Sequence, residues 1–225
     1  MSINNVSIDK VRDLKYILLF LGITLLAVAF ILITQDSVVY DNDNDAYALP
    51  LFTGKVIPEV MGFHDISTLT FKRGYDMLTL SIKVKGDITS ISNYRYETVY
   101  ILEMEHIDTL LSKKHYIIVL PYFPEGHVIG YNGWYIAVYD ASSNRWIVPM
   151  ISIDSPVSSS NSNTISISIP TSIVGNPLLM LSYRITVMVN IDTQVNPMPD
   201  YIMDTAPDNS NLISVFLPSL GGHDR

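Results

Sequence analysis

The chain has 225 residues, 14 Lys+Arg against 22 Asp+Glu, a net charge of −8 and no cysteine. Those figures exclude a disulfide framework, cysteine-ligated zinc or iron–sulfur sites and covalently attached c-type haem. The acidic balance argues against a binder of phosphate backbones, so no nucleic-acid partner is expected. With 48% hydrophobic and only 16% charged residues the chain is also the opposite of a disordered one.

Residues 1–15 read as a short cytoplasmic tail bearing Lys10, Arg12 and Lys15. From Tyr16 to Thr34 the sequence YILLFLGITLLAVAFILIT runs nineteen residues without a charge. As a helix it would measure about 28 Å, close to the hydrocarbon thickness of a bilayer, which predicts a single transmembrane helix over 16–34. The rival, a cleaved secretory signal, has a shorter apolar region and a small-residue cleavage site; Gln35-Asp36-Ser37-Val38 offers none. The first base after the span is Lys55. The positive-inside rule then keeps the N-terminus in the cytoplasm and places the remainder outside the cell membrane.

Residues 35–45 read as an acidic linker. Within it Asp41, Asp43 and Asp45 are spaced like the first three ligands of a calcium loop, where hard oxygen donors at alternate positions wrap one side of Ca²⁺. The rest of such a loop is missing, since Ala46 and Phe52 stand where its glycine and bidentate glutamate belong. The competing reading is a solvated spacer.

Residues 46–220 are expected to form one extracytoplasmic domain built from strands. Leu69–Lys72 and Met77–Lys85 flank the turn Arg73-Gly74-Tyr75-Asp76 as a hairpin. In MLTLSIKVK the residues Leu78, Leu80, Ile82 and Val84 alternate with polar ones, predicting one buried and one wet face. Thr98–Ser112 reads as a helix or, in its first part, a strand. Tyr116–Leu120, Trp134–Tyr139, Thr164–Ile169 and Tyr183–Asp192 are further strands. Turn clusters separate them, with Ser158–Asn163 read as a long hairpin loop. The class predicted is an all-β antiparallel sandwich of immunoglobulin-like type.

The second cluster with chemical potential is aromatic. Alternation places Trp134 with Ile136 and Val138 on the core face and turns Tyr135 and Tyr139 outward, with Tyr131 and Trp146 close in sequence. Rings with polar tips stack on sugar faces and other amphipathic ligands, so Tyr131, Tyr135, Tyr139 and Trp146 are the candidate ligand-binding residues. The bland alternative is packing against a neighbour. No G-x-S-x-G, H-E-x-x-H, P-loop or G-x-G-x-x-G occurs, and no enzyme is expected.

Taken in order, five passages resemble the glucodextranase-like C-terminal domain, a member of the broader DOMON-like group of β-sandwiches. They are Asp41–Pro50, Phe63-His64-Asp65-Ile66 with the hairpin to Val84, Gly133–Val138, Asn163–Gly175 and Asn211–Val215. The resemblance spans about residues 40–218, and it departs at Asn42, Asn44 and Ala46, where the family carries glycines. It implies a noncatalytic, surface-associated binding or attachment module and does not fix the ligand; the partners expected for such a module are glycan or a cell-envelope or S-layer protein. It also carries an alternative, a b-type haem electron-transfer protein with Met, His or Lys axial ligands, for which Met61, His64, Met198 and Met203 are candidates.

Overall fold

The computed structural model describes residues 17–26, 37–41, 45–50, 58–158, 160–191 and 200–206. Two units divide at Gln35 and Asp36. In the first, residues 17–26 are helical, and all eight of their large hydrophobic side chains are exposed, from 57 to 73%. Ten residues make about 15 Å of helix, half a bilayer core. Among the described residues no helix is long and apolar enough to cross a membrane. Tyr16 and residues 27–34 of the expected span lie outside the described residues.

The second unit is all β, in two antiparallel sheets. The first holds β1 (Ser37–Tyr40), β3 (Ile66–Arg73), β4 (Met77–Val84), β10 (Asn161–Pro170) and β9 (Val157–Ser158), in the order β1-β3-β4-β10-β9. The second holds β2 (Leu49–Pro50), β5 (Glu97–Asp108), β6 (Lys113–Val128), β7 (Tyr131–Asp140), β8 (Arg145–Ser152), β11 (Pro177–Asn190) and β12 (Tyr201–Ala206), in the order β2-β12-β11-β5-β6-β7-β8. Residues 37–40, expected within the linker, thus form an edge strand.

The alternation predicted for β4 is present: Leu78, Leu80, Ile82 and Val84 are buried, and Ile165, Ile167 and Ile169 of β10 face the same core. Against them lie Tyr100, Leu102 and Met104 of β5, Ile118 and Leu120 of β6, and Ile185, Val187 and Val189 of β11. On the other side of the first sheet Thr79 and Ser168 hydroxyls pair at 2.9 Å and those of Ser81 and Ser166 at 3.2 Å, a polar ladder suited to water.

The second sheet differs because its outer face is apolar too. Val99, Ile101, Ile117, Val119, Ala137, Tyr139, Met188 and Ile202 form a separate buried cluster. This explains why Thr98–Ser112 was ambiguous in sequence: a strand buried on both faces does not alternate. The helical option is corrected to strand β5, whose Met104 and His106 are fully buried. The expected long loop at Ser158–Asn163 is also shortened, since β9 ends at Ser158 and β10 begins at Asn161.

Glycine is required where the segment before β3 meets the end of β4. Gly86 N–H donates to Gly62 C=O at 2.8 Å, and a Cβ on Gly86 would sit 2.7 Å from the Gly62 carbonyl carbon. Side chains cannot enter so close a backbone crossing.

Candidate functional site

The acidic opening is a crossover between the sheets. Strand β1 pairs with β3 of the first sheet, and Asp41 N–H donates to Ser67 C=O at 3.2 Å. A few residues later Tyr47 N–H donates to Met203 C=O at 2.9 Å, and β2 pairs with β12 of the second sheet. Val39 and Ala48 pack on the core at either side, so apolar residues pin the segment while Asp41 and Asp45 come together.

Asp41 and Asp45 are half-buried and meet a residue far along the chain. One carboxylate oxygen from each of Asp41, Asp45 and Asp204 lies within 4.8 Å of the other two. Asp204 is 6% exposed; its Oδ2 accepts the Ile66 N–H at 2.6 Å and its Oδ1 accepts the Thr205 N–H at 2.7 Å. Asp65, also buried, is near enough to repel it electrostatically. Burial, with smaller repulsion from Asp45 and Asp65, pushes the Asp204 carboxyl up to about 7 despite the two amides that oppose the shift. Asp43, the middle residue of the expected triplet, lies outside the described residues.

Such a cluster has two ways to relieve its charge. It can retain a proton, as the raised Asp204 pKa indicates, or hold a cation. Oxygens at about 2.3–2.6 Å from one Ca²⁺ are at most about 5 Å apart, so Asp41, Asp45 and Asp204 fit one coordination sphere. They would supply three of its roughly six to eight oxygens.

The four aromatic candidates separate into two pairs. Tyr131 and Tyr135 lie 5.2 Å apart between ring centroids, with Phe123 at 5.0 Å from Tyr131 and 5.3 Å from Tyr135. Tyr139 and Trp146 face each other across β7 and β8 at 5.1 Å. Tyr135 and Tyr139 share a strand face but stand four residues apart, about 13 Å, so the pairs do not form one platform. Tyr139 does point outward from the core as alternation requires, yet it is only 7% exposed and its hydroxyl donates to Asn144 Oδ1. It belongs to the buried outer cluster. Tyr131, at 39%, is the exposed ring of the four, and Trp134 is buried in the core as expected.

His64 is fully buried. Its Nδ1 accepts the Met61 N–H at 3.1 Å, and its ring packs edge-on against Phe63 and Tyr94 at 4.5 and 5.1 Å. Burial lowers its pKa to about 3, so the imidazole is neutral. Met203 is buried in the core, and Met198 lies outside the described residues.

Two features were invisible in the sequence. Glu103 on β5 accepts hydrogen bonds from Arg184 of β11 and is bonded to His115 Nε2 of β6 at 3.0 Å. The His115 bond, followed by the Arg184 contacts, holds the Glu103 carboxyl below its usual range. The second is a groove of about 410 Å³ between β8 and β10, lined by Ile136, Ile151, Ile167 and Ile169 together with the polar Asp154 and Ser168. Both depend on partners distant in the chain. No family model, curated protein or solved structure matches the chain.

Proposed function

We propose that this chain is a membrane-anchored, noncatalytic β-sandwich module of the immunoglobulin-like, DOMON-like type, working at the cell surface by binding glycan or an envelope protein. The observation that carries the reading is the pairing of an all-β domain with an N-terminal helical segment, residues 17–26, whose large apolar side chains are all exposed. A helix of that kind needs lipid or protein around it. The bases before residue 16, and their absence from there to Lys55, support an extracytoplasmic domain. Ca²⁺ at the acidic crossover belongs to the same reading.

For the ligand, the exposed ring of Tyr131 with Tyr135 and Phe123 beside it supports stacking on a sugar face. The test uses the full chain reconstituted in vesicles, with protease added outside intact cells as the topology control. Binding of a panel of envelope glycans is measured for the parent and for Tyr131→Ala. The reading expects digestion of residues 36–225 from outside and at least a tenfold affinity loss on removing the ring, about 1.4 kcal/mol. A protected domain sinks the topology, and unchanged glycan binding by Tyr131→Ala sinks the ring assignment.

A further inference from the structure

One end of the sandwich carries large hydrophobic side chains at its turn apices. Tyr75, in the β3–β4 turn, is 101% exposed, and Leu110 and Leu111, in the β5–β6 turn, are 83% and 77% exposed. Hydrogen bonds and register tie these turns side by side. Thr171 N–H donates to Asp76 C=O at 2.8 Å, Asn176 N–H donates to Thr171 C=O at 2.7 Å, and Pro177 stands opposite Asp108. The polypeptide enters the domain at this same end, because Ser37, three residues after Thr34 in the sequence, pairs with Phe71 near the β3–β4 turn.

Leu111 breaks a local rule. Its φ is +61°, whereas positive φ in the neighbouring turns falls on Asn144, Gly175 and Asn176, residue types that tolerate it. Leu111 gains no burial in return. The turn is held firmly: Asp108 Oδ1 accepts the N–H groups of Leu110 and Ser112 at 2.8 Å each, and Leu111 N–H donates to Asp108 C=O at 3.0 Å. Strained residues of this kind persist where the conformation serves a purpose.

Charge at this end is close to balanced, with one base in excess, in a chain that is acidic as a whole. Among the described residues, Lys72, Arg73, Lys113, Lys114 and Arg145 lie in or next to these turns and the neighbouring β7–β8 turn, together with Asp76, Glu105, Asp108 and Asp140. Asp108 and Asp140 are buried at 5% and 7%, with oxygens engaged by turn N–H groups. Lys113 pairs with Glu105 at 3.0 Å and Lys114 lies 3.8 Å from Asp108. Exposed aliphatic tips, an exposed tyrosine and flanking bases are the combination that suits the interface of an anionic bilayer.

We propose that this end of the sandwich rests on a lipid surface with anionic headgroups, Leu110 and Leu111 entering the acyl boundary and Tyr75 lying at headgroup level. The proposal rests on the membrane-anchor reading, and the experiment separates the two. Because the chain has no cysteine, Leu110→Cys and Tyr75→Cys each give a single labelling site, and Ile129→Cys, 91% exposed at the opposite end, gives the control. Each full-length variant is labelled with an environment-sensitive fluorophore and reconstituted in phosphatidylcholine–phosphatidylglycerol vesicles containing a nitroxide lipid. The expected result is blue-shifted emission and loss of fluorescence at positions 75 and 110, with water-like, unquenched emission at 129. An embedded chain whose position-110 probe matches position 129 overturns this proposal alone. So does a probe that becomes shielded only when cell-envelope protein is added, which would assign the turns to a protein partner. A chain that fails to float with the vesicles overturns the anchor reading and this proposal together.

Discussion

Asp204 Oδ2 accepts the backbone N–H of Ile66 at 2.6 Å, so one buried carboxylate joins β12 of the second sheet to the first residue of β3 in the first. Burial pushes this carboxyl up to about 7 against the pull of that hydrogen bond, so ionising it in place costs stability and makes the fold sensitive to pH. The folded state keeps a proton that the unfolded chain releases near 3.8. The contribution is therefore complete below about pH 4, declines as pH rises, and is lost above about pH 7. Between pH 5 and 8 the decline is on the order of 3 kcal/mol. Thermal unfolding of the parent should fall more steeply over that interval than that of Asp204→Asn. Glu97, raised to about 7 by burial, acts in the same direction, so Glu97→Gln provides the second comparison. Parallel slopes for parent and Asp204→Asn would remove the assignment.

The same carboxylates give a cation test. Ca²⁺ bound by Asp41, Asp45 and Asp204 would hold them ionised and flatten the pH dependence. At about 100-fold excess over Kd it would add ~2.7 kcal/mol, a rise of several degrees in Tm. An Asp45→Asn, Asp204→Asn double substitution should abolish the rise. Sodium chloride at matched ionic strength controls for screening. Equal shifts with both salts would leave the cluster relieved by protons and salt alone.

Ile82 and Lys83 are adjacent on β4 with opposite fates: Ile82 is 1% exposed, and Lys83 faces water. Ile82→Asp puts an uncompensated carboxylate in the core and should cost more than about 3 kcal/mol. Lys83→Asp should change stability by about 0.5 kcal/mol. Urea unfolding midpoints measure both, and similar losses would contradict the burial of this face.

Period-two alternation made β4 and β10 readable because each has one wet side, marked by Thr79, Ser81, Ser166 and Ser168. It failed for β5, where Val99 and Ile101 are as buried as Tyr100 and Leu102. It placed Tyr139 on the correct side of β7 but could not show that the outer face of that sheet is itself apolar. The acidic site was half legible. Asp41 and Asp45 announce themselves by spacing, while Asp204 sits alone in YIMDTA and acquires meaning only because β12 lies beside the crossover.

Gly86→Ala probes the close crossing before β3. The added Cβ would approach the backbone of Gly62 to 2.7 Å, and backbone cannot swing aside as a side chain does. A loss of about 1–3 kcal/mol is expected. Gly126→Ala, with nothing within 4 Å of its Cβ but a φ of +76°, should cost only the strain of that conformation, about 1 kcal/mol. Chemical denaturation orders the two, and a harmless Gly86→Ala would mean that the crossing is looser than this packing.

Leu111→Gly tests whether the β5–β6 turn keeps its leucine at the expense of stability. Glycine adopts φ near +60° without the Cβ clash that costs a leucine about 1–2 kcal/mol, although its greater freedom in the unfolded chain returns about 0.5–1 kcal/mol. The net expectation is a gain of up to about 1 kcal/mol, because the 77%-exposed side chain contributes little packing. The Asp108 hydrogen bonds use backbone N–H groups that the substitution leaves in place. Unfolding in detergent, away from any bilayer, measures this gain directly. Loss of stability there would show that Leu111 is held by the fold itself, and the strain would need no purpose outside it.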